Sequence, residues 1–90
     1  MAVIVMAENE KLTSEAYDGM LVGLRDVMQK SPGFIAHMGW PTPDGWRIVE
    51  IWRTKDDANQ FFAKHVHPNL PPDAPRPHRR VFELHALVEP

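Results

Sequence analysis

Apolar residues along this chain follow two spacings, and these predict where strands and helices lie. The run Ala2 to Met6 is short and rich in β-branched residues, which predicts a first strand. After Thr13 or Ser14, either of which can cap a helix, apolar residues recur every three or four positions. This stripe of a first amphipathic helix consists of Tyr17, Met20, Leu21, Leu24, Val27 and Met28. The sequence Ser31-Pro32-Gly33 ends the helix.

The middle of the chain predicts a hairpin whose register is left open. Residues 34–40 and 46–53 are the two strands, and Asp44-Gly45 is the strongest turn signal between them. If Trp40 lies opposite Trp46, the aromatic pair stabilises the hairpin and His37 faces away from Trp52. A shift of one residue puts His37 on the same face as Trp52, because side chains alternate along a strand.

The rest of the chain predicts a second helix, a loop and a last strand. Residues 54–57 resemble a capping box with Asp at its end, and Ala58, Phe61, Phe62 and His65 form the apolar stripe of the helix. Residues 68–77 hold five prolines and predict an irregular loop. Residues 79–89 alternate between apolar and polar and predict a fourth strand.

The predicted order is β-α-β-β-α-β within one domain spanning residues 1–90. This is an α+β fold of the ferredoxin-like type, with a four-stranded antiparallel sheet and both helices on one face. The third strand has large apolar residues on both faces. A sheet with an apolar outer face needs a cover, so we expect a homodimer.

Composition narrows the choice of partners. The chain has 90 residues, a formal net charge of −2 and no cysteine. Without a basic surface or a long apolar run, we expect neither nucleic acid nor a membrane as partner. The absence of cysteine excludes disulfides and thiolate chemistry and fits a reducing cytoplasm.

Three segments resemble the antibiotic biosynthesis monooxygenase-like domains of the dimeric α+β barrel superfamily. They are SPGF before the second strand, DGWRIVEIW through the third, and T-x-D-D-A-x-x-F-F at the entry to the second helix. The similarity extends over nearly the whole chain. It implies a homodimer whose two sheets form a barrel, with a pocket between helices and sheet in each subunit.

The resemblance also implies roles for particular residues. In the oxygenases of this family a third-strand tryptophan lines the pocket, and Trp52 matches it. Those enzymes carry an asparagine four residues earlier, where this chain has Ile48, which argues against the same oxygenation mechanism. Heme-degrading members combine a first-strand asparagine, this tryptophan and a second-helix histidine. His65 lies about one turn late for that pattern and Ala2 to Met6 holds no asparagine, so heme is the distant alternative.

Three residues are candidates for moving a proton: His37, His65 and Glu50. Histidine is the usual general base near neutral pH. If Trp52 faces the helices, so does Glu50, and a carboxylate there must either pair with Arg or His or line a wet pocket as a base. The structural alternatives are an ion pair for Glu50 and a core or helix C-terminal position for His65.

Five aromatic residues are candidates for holding a substrate: Trp52, Trp46, Phe34, Phe61 and Tyr17. Each has core packing as its alternative, since pockets and cores use the same residue types. His65 and His67 diverge by roughly 200° on a helix, so we expect no metal site.

These observations predict a small-molecule enzyme that uses no metal or flavin. Its substrate would be apolar and aromatic or polyketide-like, and the reaction either an oxygenation or a cyclisation or isomerisation by proton transfer. The alternative is a non-catalytic module that binds a small ligand or another protein.

Overall fold

The chain folds into a four-stranded antiparallel sheet with helices on one face. The structure, a computed structural model, describes residues 1–70 and 77–90. The strands are β1 (Val3–Glu10), β2 (Phe34–Thr42), β3 (Gly45–Trp52) and β4 (His78–Glu83), and the helices are α1 (Ser14–Lys30) and α2 (Lys55–Phe61). The sheet order is β2-β3-β1-β4. The predicted α+β class and ferredoxin-like β-α-β-β-α-β order are confirmed.

Both helices begin at the predicted caps. The Thr13 hydroxyl accepts from the Ala16 N–H at 3.1 Å, and the Thr54 hydroxyl accepts from the Asp57 N–H at 3.0 Å. These side chains satisfy backbone donors that have no partner within the helix.

Within residues 1–70 and 77–90, no helix is both long enough and apolar enough to cross a membrane.

The second helix was predicted to extend through His65, but its regular α-helical part ends at Phe61. After α2 the chain widens into a π-helical segment (Phe62–Val66) and then tightens into a 3₁₀ turn (His67–Asn69). Pro68 lies in the first turn of that last element, where its missing N–H is tolerated. Most of the predicted proline-rich loop, residues 71–76, lies outside the described residues.

Two strands differ in length from the prediction, and in both cases the reason is where a neighbouring strand is available to pair with them. β1 runs to Glu10 rather than Met6 because β3 accompanies it along its whole length. β4 ends at Glu83 rather than residue 89. Its partner begins at Val3, and the last bond of the pair joins the Leu84 N–H to the Ala2 carbonyl at 2.9 Å. The prediction of a strand through residues 84–89 is wrong because no strand lies beside them among the described residues.

The hairpin takes the shifted register. Thr42 pairs with Gly45, so the connection has only two residues, and Trp40 consequently pairs with Arg47 and His37 with Glu50. Of the two registers left open by the sequence, the one that pairs Trp40 with Trp46 is therefore not the one formed. Trp46 is buried under the helices, whereas Trp40 is 40% exposed on the other face. Near the start of β2, a bulge between Phe34 and Ala36 adds one residue and changes the register there.

The core lies between the sheet and the helices in two clusters. One surrounds Trp52, which is fully buried, and includes Val5, Met28 and Phe61. The other consists of Tyr17, Trp46 and Ile48 near the hairpin end of β3. The space between sheet and helices is thus filled at both ends by aromatic residues.

The opposite face of the sheet carries apolar side chains without a cover. Met38, Trp40 and Phe82 are between 40% and 46% exposed there. Val49 lies at the centre of this face, paired with Met6 and Met38. The homodimer stays a prediction, and this is the face that it would bury.

Gly33 makes the turn between α1 and β2 and has no room for a side chain. Its φ is +79°, and a Cβ would lie 2.2 Å from the Asp57 carboxylate. We expect Gly33→Ala to lower the free energy of unfolding by about 1–3 kcal/mol, measured by urea denaturation. Gly19→Ala is the control: that helical position has open space, so the substitution should raise stability by up to ~1 kcal/mol. Equal effects of the two variants would contradict this account.

The dimer prediction is tested by charging the uncovered face. We expect wild-type protein to sediment as a dimer at micromolar concentration and Val49→Asp to sediment as a folded monomer, because a carboxylate cannot be buried there unpaired. Val22→Asp is the matched control, since Val22 is 84% exposed on α1. A wild-type monomer would show that the prediction is wrong.

Candidate functional site

A cavity of about 580 Å³ lies between the sheet and the helices, in the space between the two core clusters. Its walls come from all four strands, α1 and the segment from Phe61 to Val66. Most of the lining side chains are apolar, among them Met20, Leu24, Ile48 and Phe62. Pockets for small molecules are concave and mostly apolar in this way, with few polar groups.

The pairing of the strands explains where the cavity lies. Ala7 pairs with Ile48 on one side and Arg79 on the other, and all three side chains point toward the helices. In the next row Val5 lies between Glu50 and Val81. The methyl group of Ala7 fills little space, so the floor is low at this point. Arg79 lies beside Ala7 on β4, and Glu50 lies on β3 in the next row.

Glu50 and His37 are held together at the cavity wall. His37 Nδ1 lies 2.7 Å from Glu50 Oε2, and the two side chains are 9% and 16% exposed. The second carboxylate oxygen, Oε1, accepts the indole N–H of Trp52 at 3.0 Å. A carboxylate so far removed from water is costly unless it is hydrogen-bonded, and these two donors provide that.

Tyr17 extends this network away from the carboxylate. Its hydroxyl lies 2.6 Å from His37 Nε2. Burial, followed by the negative charge of Glu50 and then of Asp18, raises the pKa of the Tyr17 phenol above its ordinary value of 10.0. The phenol therefore keeps its proton at neutral pH. A carboxylate has no donor, so His37 Nδ1 donates to Glu50 Oε2, and in the neutral ring Nε2 accepts from the Tyr17 hydroxyl.

Gly39 makes the position of Tyr17 possible. A Cβ at this residue would lie 2.7 Å from the Tyr17 hydroxyl and 2.8 Å from Trp46 Nε1. Tyr17 and Trp46 instead stack over the bare backbone with their ring centroids 4.8 Å apart. The Trp46 indole N–H is buried, and it makes no hydrogen bond to any residue in the described part of the chain.

Arg79 brings a positive charge to the opposite side of the cavity. Its guanidinium lies 4.6 Å from the centre of the Phe62 ring and donates to Asn59 Oδ1 at 3.4 Å. Burial lowers the pKa of Arg79, and the negative charge of Glu50 opposes that shift. A guanidinium remains charged even so, because its ordinary pKa is far above neutral pH.

The structure brings together some of the sequence-predicted site residues at the cavity. His37, Glu50 and Phe61 line it. Tyr17 and Trp52 lie behind that wall, each bonded to a residue of the His37–Glu50 pair.

The other three candidates lie elsewhere. Trp46 stacks on Tyr17, and Phe34 packs edge-on against Trp52 with centroids 5.3 Å apart. The His65 ring lies 5.2 Å from that of Phe61, and His65 is absent from the described residues that line the cavity.

The lining residues that sequence reasoning missed include Ala7, Asn9 and Arg79. The first two were missed because the first strand was ended at Met6. Alternation along the fourth strand carried the signal for Arg79, which shares a face with Val81. Within the described ranges, no group of three or more His, Cys, Asp or Glu side chains is placed to hold a metal ion.

Comparison with known proteins finds likeness in structure rather than in sequence. No protein-family model matches the chain, and no curated protein matches it. Among solved structures, SnoaB, a cofactor-independent oxygenase from Streptomyces nogalater, matches with a TM-score of 0.64 at 9% identity, over 97% of this chain and 95% of SnoaB.

Two further structures agree with that match. MhuD, a heme-degrader from Mycobacterium tuberculosis with two hemes in its active site, has a TM-score of 0.63 at 17% identity, over 99% of this chain and 100% of MhuD. A conserved protein from Methanosarcina mazei Go1 has a TM-score of 0.69 at 17% identity, over 91% of each chain. The chain thus has the α+β fold of the monooxygenase-like domains, and the predicted resemblance in fold is confirmed.

Tyr17 is the only tyrosine, so absorbance at 295 nm follows its ionisation directly. We expect the folded protein to show a midpoint above pH 10.0. Glu50→Gln should lower that midpoint but leave it above the ordinary value, because burial is the larger cause. Glu83→Gln, which removes an exposed carboxylate, should leave it unchanged.

The same shift affects stability. Because the pKa of Tyr17 is higher in the folded than in the unfolded chain, its contribution is complete below about pH 10 and is lost as the pH rises through the folded pKa. Circular dichroism recorded alongside the absorbance separates ionisation in the folded state from unfolding. Ionisation at or below pH 10 while the protein is folded would contradict the hydrogen-bonded arrangement.

Proposed function

We propose that this chain is a cofactor-independent enzyme that moves a proton on a small, apolar, aromatic or polyketide-like molecule held in the cavity. The observation that carries the proposal is the His37–Glu50 pair, bonded at 2.7 Å on the wall of a mostly apolar cavity of about 580 Å³. A hydrogen-bonded pair of titratable side chains in such surroundings is either structural or catalytic, and the open space beside this one favours catalysis.

The surroundings of the pair suit an uncharged, flat substrate. Side chains such as Leu24, Ile48 and Phe61 offer contact area without hydrogen bonds. A positioned acid–base group adds a factor of about 10²–10⁴ to a proton transfer. A positioned base on this wall would therefore speed a reaction whose difficult step is the loss of a proton.

Two reaction types begin with that step. Loss of a proton from an electron-rich ring or from carbon beside a carbonyl gives an anion, which either reacts with dioxygen or regains the proton elsewhere. SnoaB is a cofactor-independent oxygenase of the same fold, which supports the first type. Ile48 is an apolar residue at the position where such oxygenases carry asparagine, and this favours isomerisation or cyclisation.

Heme binding is the second candidate. The MhuD structure holds two hemes, and β1 of this chain carries Asn9 at the cavity wall, beyond the end of the shorter strand that the sequence predicted. His65 weighs against heme because it lies away from the described cavity wall. A Soret band shifted on mixing with hemin, and lost in Asn9→Ala, would favour this candidate.

The homodimer and the cytoplasmic location belong to the same proposal. The uncovered apolar face of the sheet supports a second copy. The lack of cysteine is compatible with a reducing compartment.

Anthrone is a suitable probe because it is flat, apolar and carries an acidic CH₂ beside an aromatic ring. We expect it to quench tryptophan fluorescence on binding and to lose a proton faster than in buffer, seen as the anthrolate absorbance. Consumption of dioxygen with formation of anthraquinone and water would mark an oxygenase. Faster proton loss without dioxygen uptake would mark an isomerase or cyclase.

A variant that fills the cavity tests whether binding occurs there. Ala7→Leu places a larger side chain on the cavity floor and should weaken anthrone binding about tenfold or more. Ala63→Leu makes the same change at an exposed position and should bind like wild type. Binding without faster proton loss would favour the non-catalytic module.

A further inference from the structure

Both ring nitrogens of His37 are already in use within the protein. Nδ1 is bonded to Glu50 Oε2 at 2.7 Å, and Nε2 to the Tyr17 hydroxyl at 2.6 Å. An imidazole has no third site that can take or give a proton. A substrate could reach a nitrogen of His37 only by displacing Tyr17, which is 6% exposed and stacked on Trp46.

Glu50 has free positions at which it can accept further hydrogen bonds. A carboxylate offers about four lone-pair positions, and His37 and Trp52 occupy one on each oxygen. Glu50 and His37 line the cavity, whereas Tyr17 and Trp52 do not, and both nitrogens of His37 are already bonded within the protein. Of the bonded groups, the carboxylate is therefore the one that can meet a proton carried by a molecule in the cavity.

The donors of the network all point toward Glu50. Trp52 is fully buried and its indole N–H has a single direction, fixed by packing against Phe34 and Phe61. With Tyr17 donating to Nε2, the proton of a neutral His37 lies on Nδ1 and is donated to the carboxylate. Two donors on fixed scaffolds leave the carboxylate little freedom to rotate.

We propose that Glu50 is the general base of this site, that His37 and Trp52 are residues that position its carboxylate, and that the substrate is a carbon acid such as an enolisable ketone. The inference rests on the proposed function. It gives Trp52 a role through Glu50 rather than contact with the substrate.

The step balances without an added reactant. The C–H bond beside the carbonyl breaks, and its proton joins a free lone pair of Glu50. The electron pair forms the C=C bond of an enolate as the carbonyl electrons move onto oxygen. Return of the proton to the same carbon gives exchange, and return to another carbon of the conjugated system gives an isomer.

Deuterium exchange into 2-tetralone, an apolar bicyclic ketone, tests this directly. In D₂O without oxygen, wild-type protein should exchange the hydrogens beside the carbonyl faster than buffer, followed by proton NMR. Glu50→Gln should lower the rate by about 100-fold or more. Glu83→Gln should exchange at the wild-type rate. If Glu50→Gln does not fold by circular dichroism, Glu50→Asp, which withdraws the carboxylate, should lose about tenfold.

Substitution of the positioning residues Trp52 and His37 should reduce the exchange rate less than substitution of Glu50. Trp52→Phe keeps an aromatic ring but loses the N–H, so kcat for exchange should fall about tenfold while KM stays the same. His37→Gln can still donate an amide N–H to Glu50 and should keep measurable exchange. Full activity in Glu50→Gln with none in His37→Gln would overturn the proposal and make His37 the base.

A measurement without any probe separates this inference from the proposed function. In ¹⁵N-labelled protein free of ligand, His37 at neutral pH should carry a proton on Nδ1. A neutral His37 protonated on Nε2 would overturn the inference even if exchange occurs. Failure of wild-type protein to exchange 2-tetralone, with His37 as expected, would count against the proposed function instead.

Discussion

The arrangement of this molecule depends on a carboxylate placed on the face of the sheet that the helices cover. Glu50 is 16% exposed and lies in a row with apolar neighbours, so it requires donors from within the protein. Trp52 supplies one from its own strand and His37 supplies another from the next. Tyr17 then completes the bonding of His37 from α1. One largely buried carboxylate in this way links two strands and a helix.

The hairpin register decides whether that network can form at all. In the register with Trp40 opposite Trp46, His37 would lie on the far face of the sheet and Glu50 would lose a donor. The sequence left both registers open because five residues between the strands permit more than one turn. The two-residue connection between Thr42 and Gly45 settles the question in favour of His37.

The order of strands and helices could be predicted from the sequence because most of the patterns that indicate it involve only neighbouring residues. The caps Thr13 and Thr54, and the alternation within Gly45–Trp52, need only neighbouring residues to be read. The cavity and the strand ends could not be read in this way, since they depend on which residues meet across the sheet. Ala7 matters because it lies between Ile48 and Arg79, and β4 stops where β1 has no more residues to pair with. Trp52 was expected on the pocket wall from the family resemblance, with core packing as the alternative. It is fully buried, and its indole N–H is bonded to Glu50.

The bulge near the start of β2 allows this strand to make both a core contact, through Phe34, and a polar contact, through His37. Phe34 and His37 are three residues apart, so in a regular strand they would point to opposite faces. The extra residue at position 35 turns both toward the helices, where Phe34 packs on Trp52 and His37 bonds to Glu50. The irregularity lets a core contact and a polar contact share a single face. His37 thereby keeps the register with Glu50 that the two-residue connection between β2 and β3 sets, although the strand begins with an extra residue.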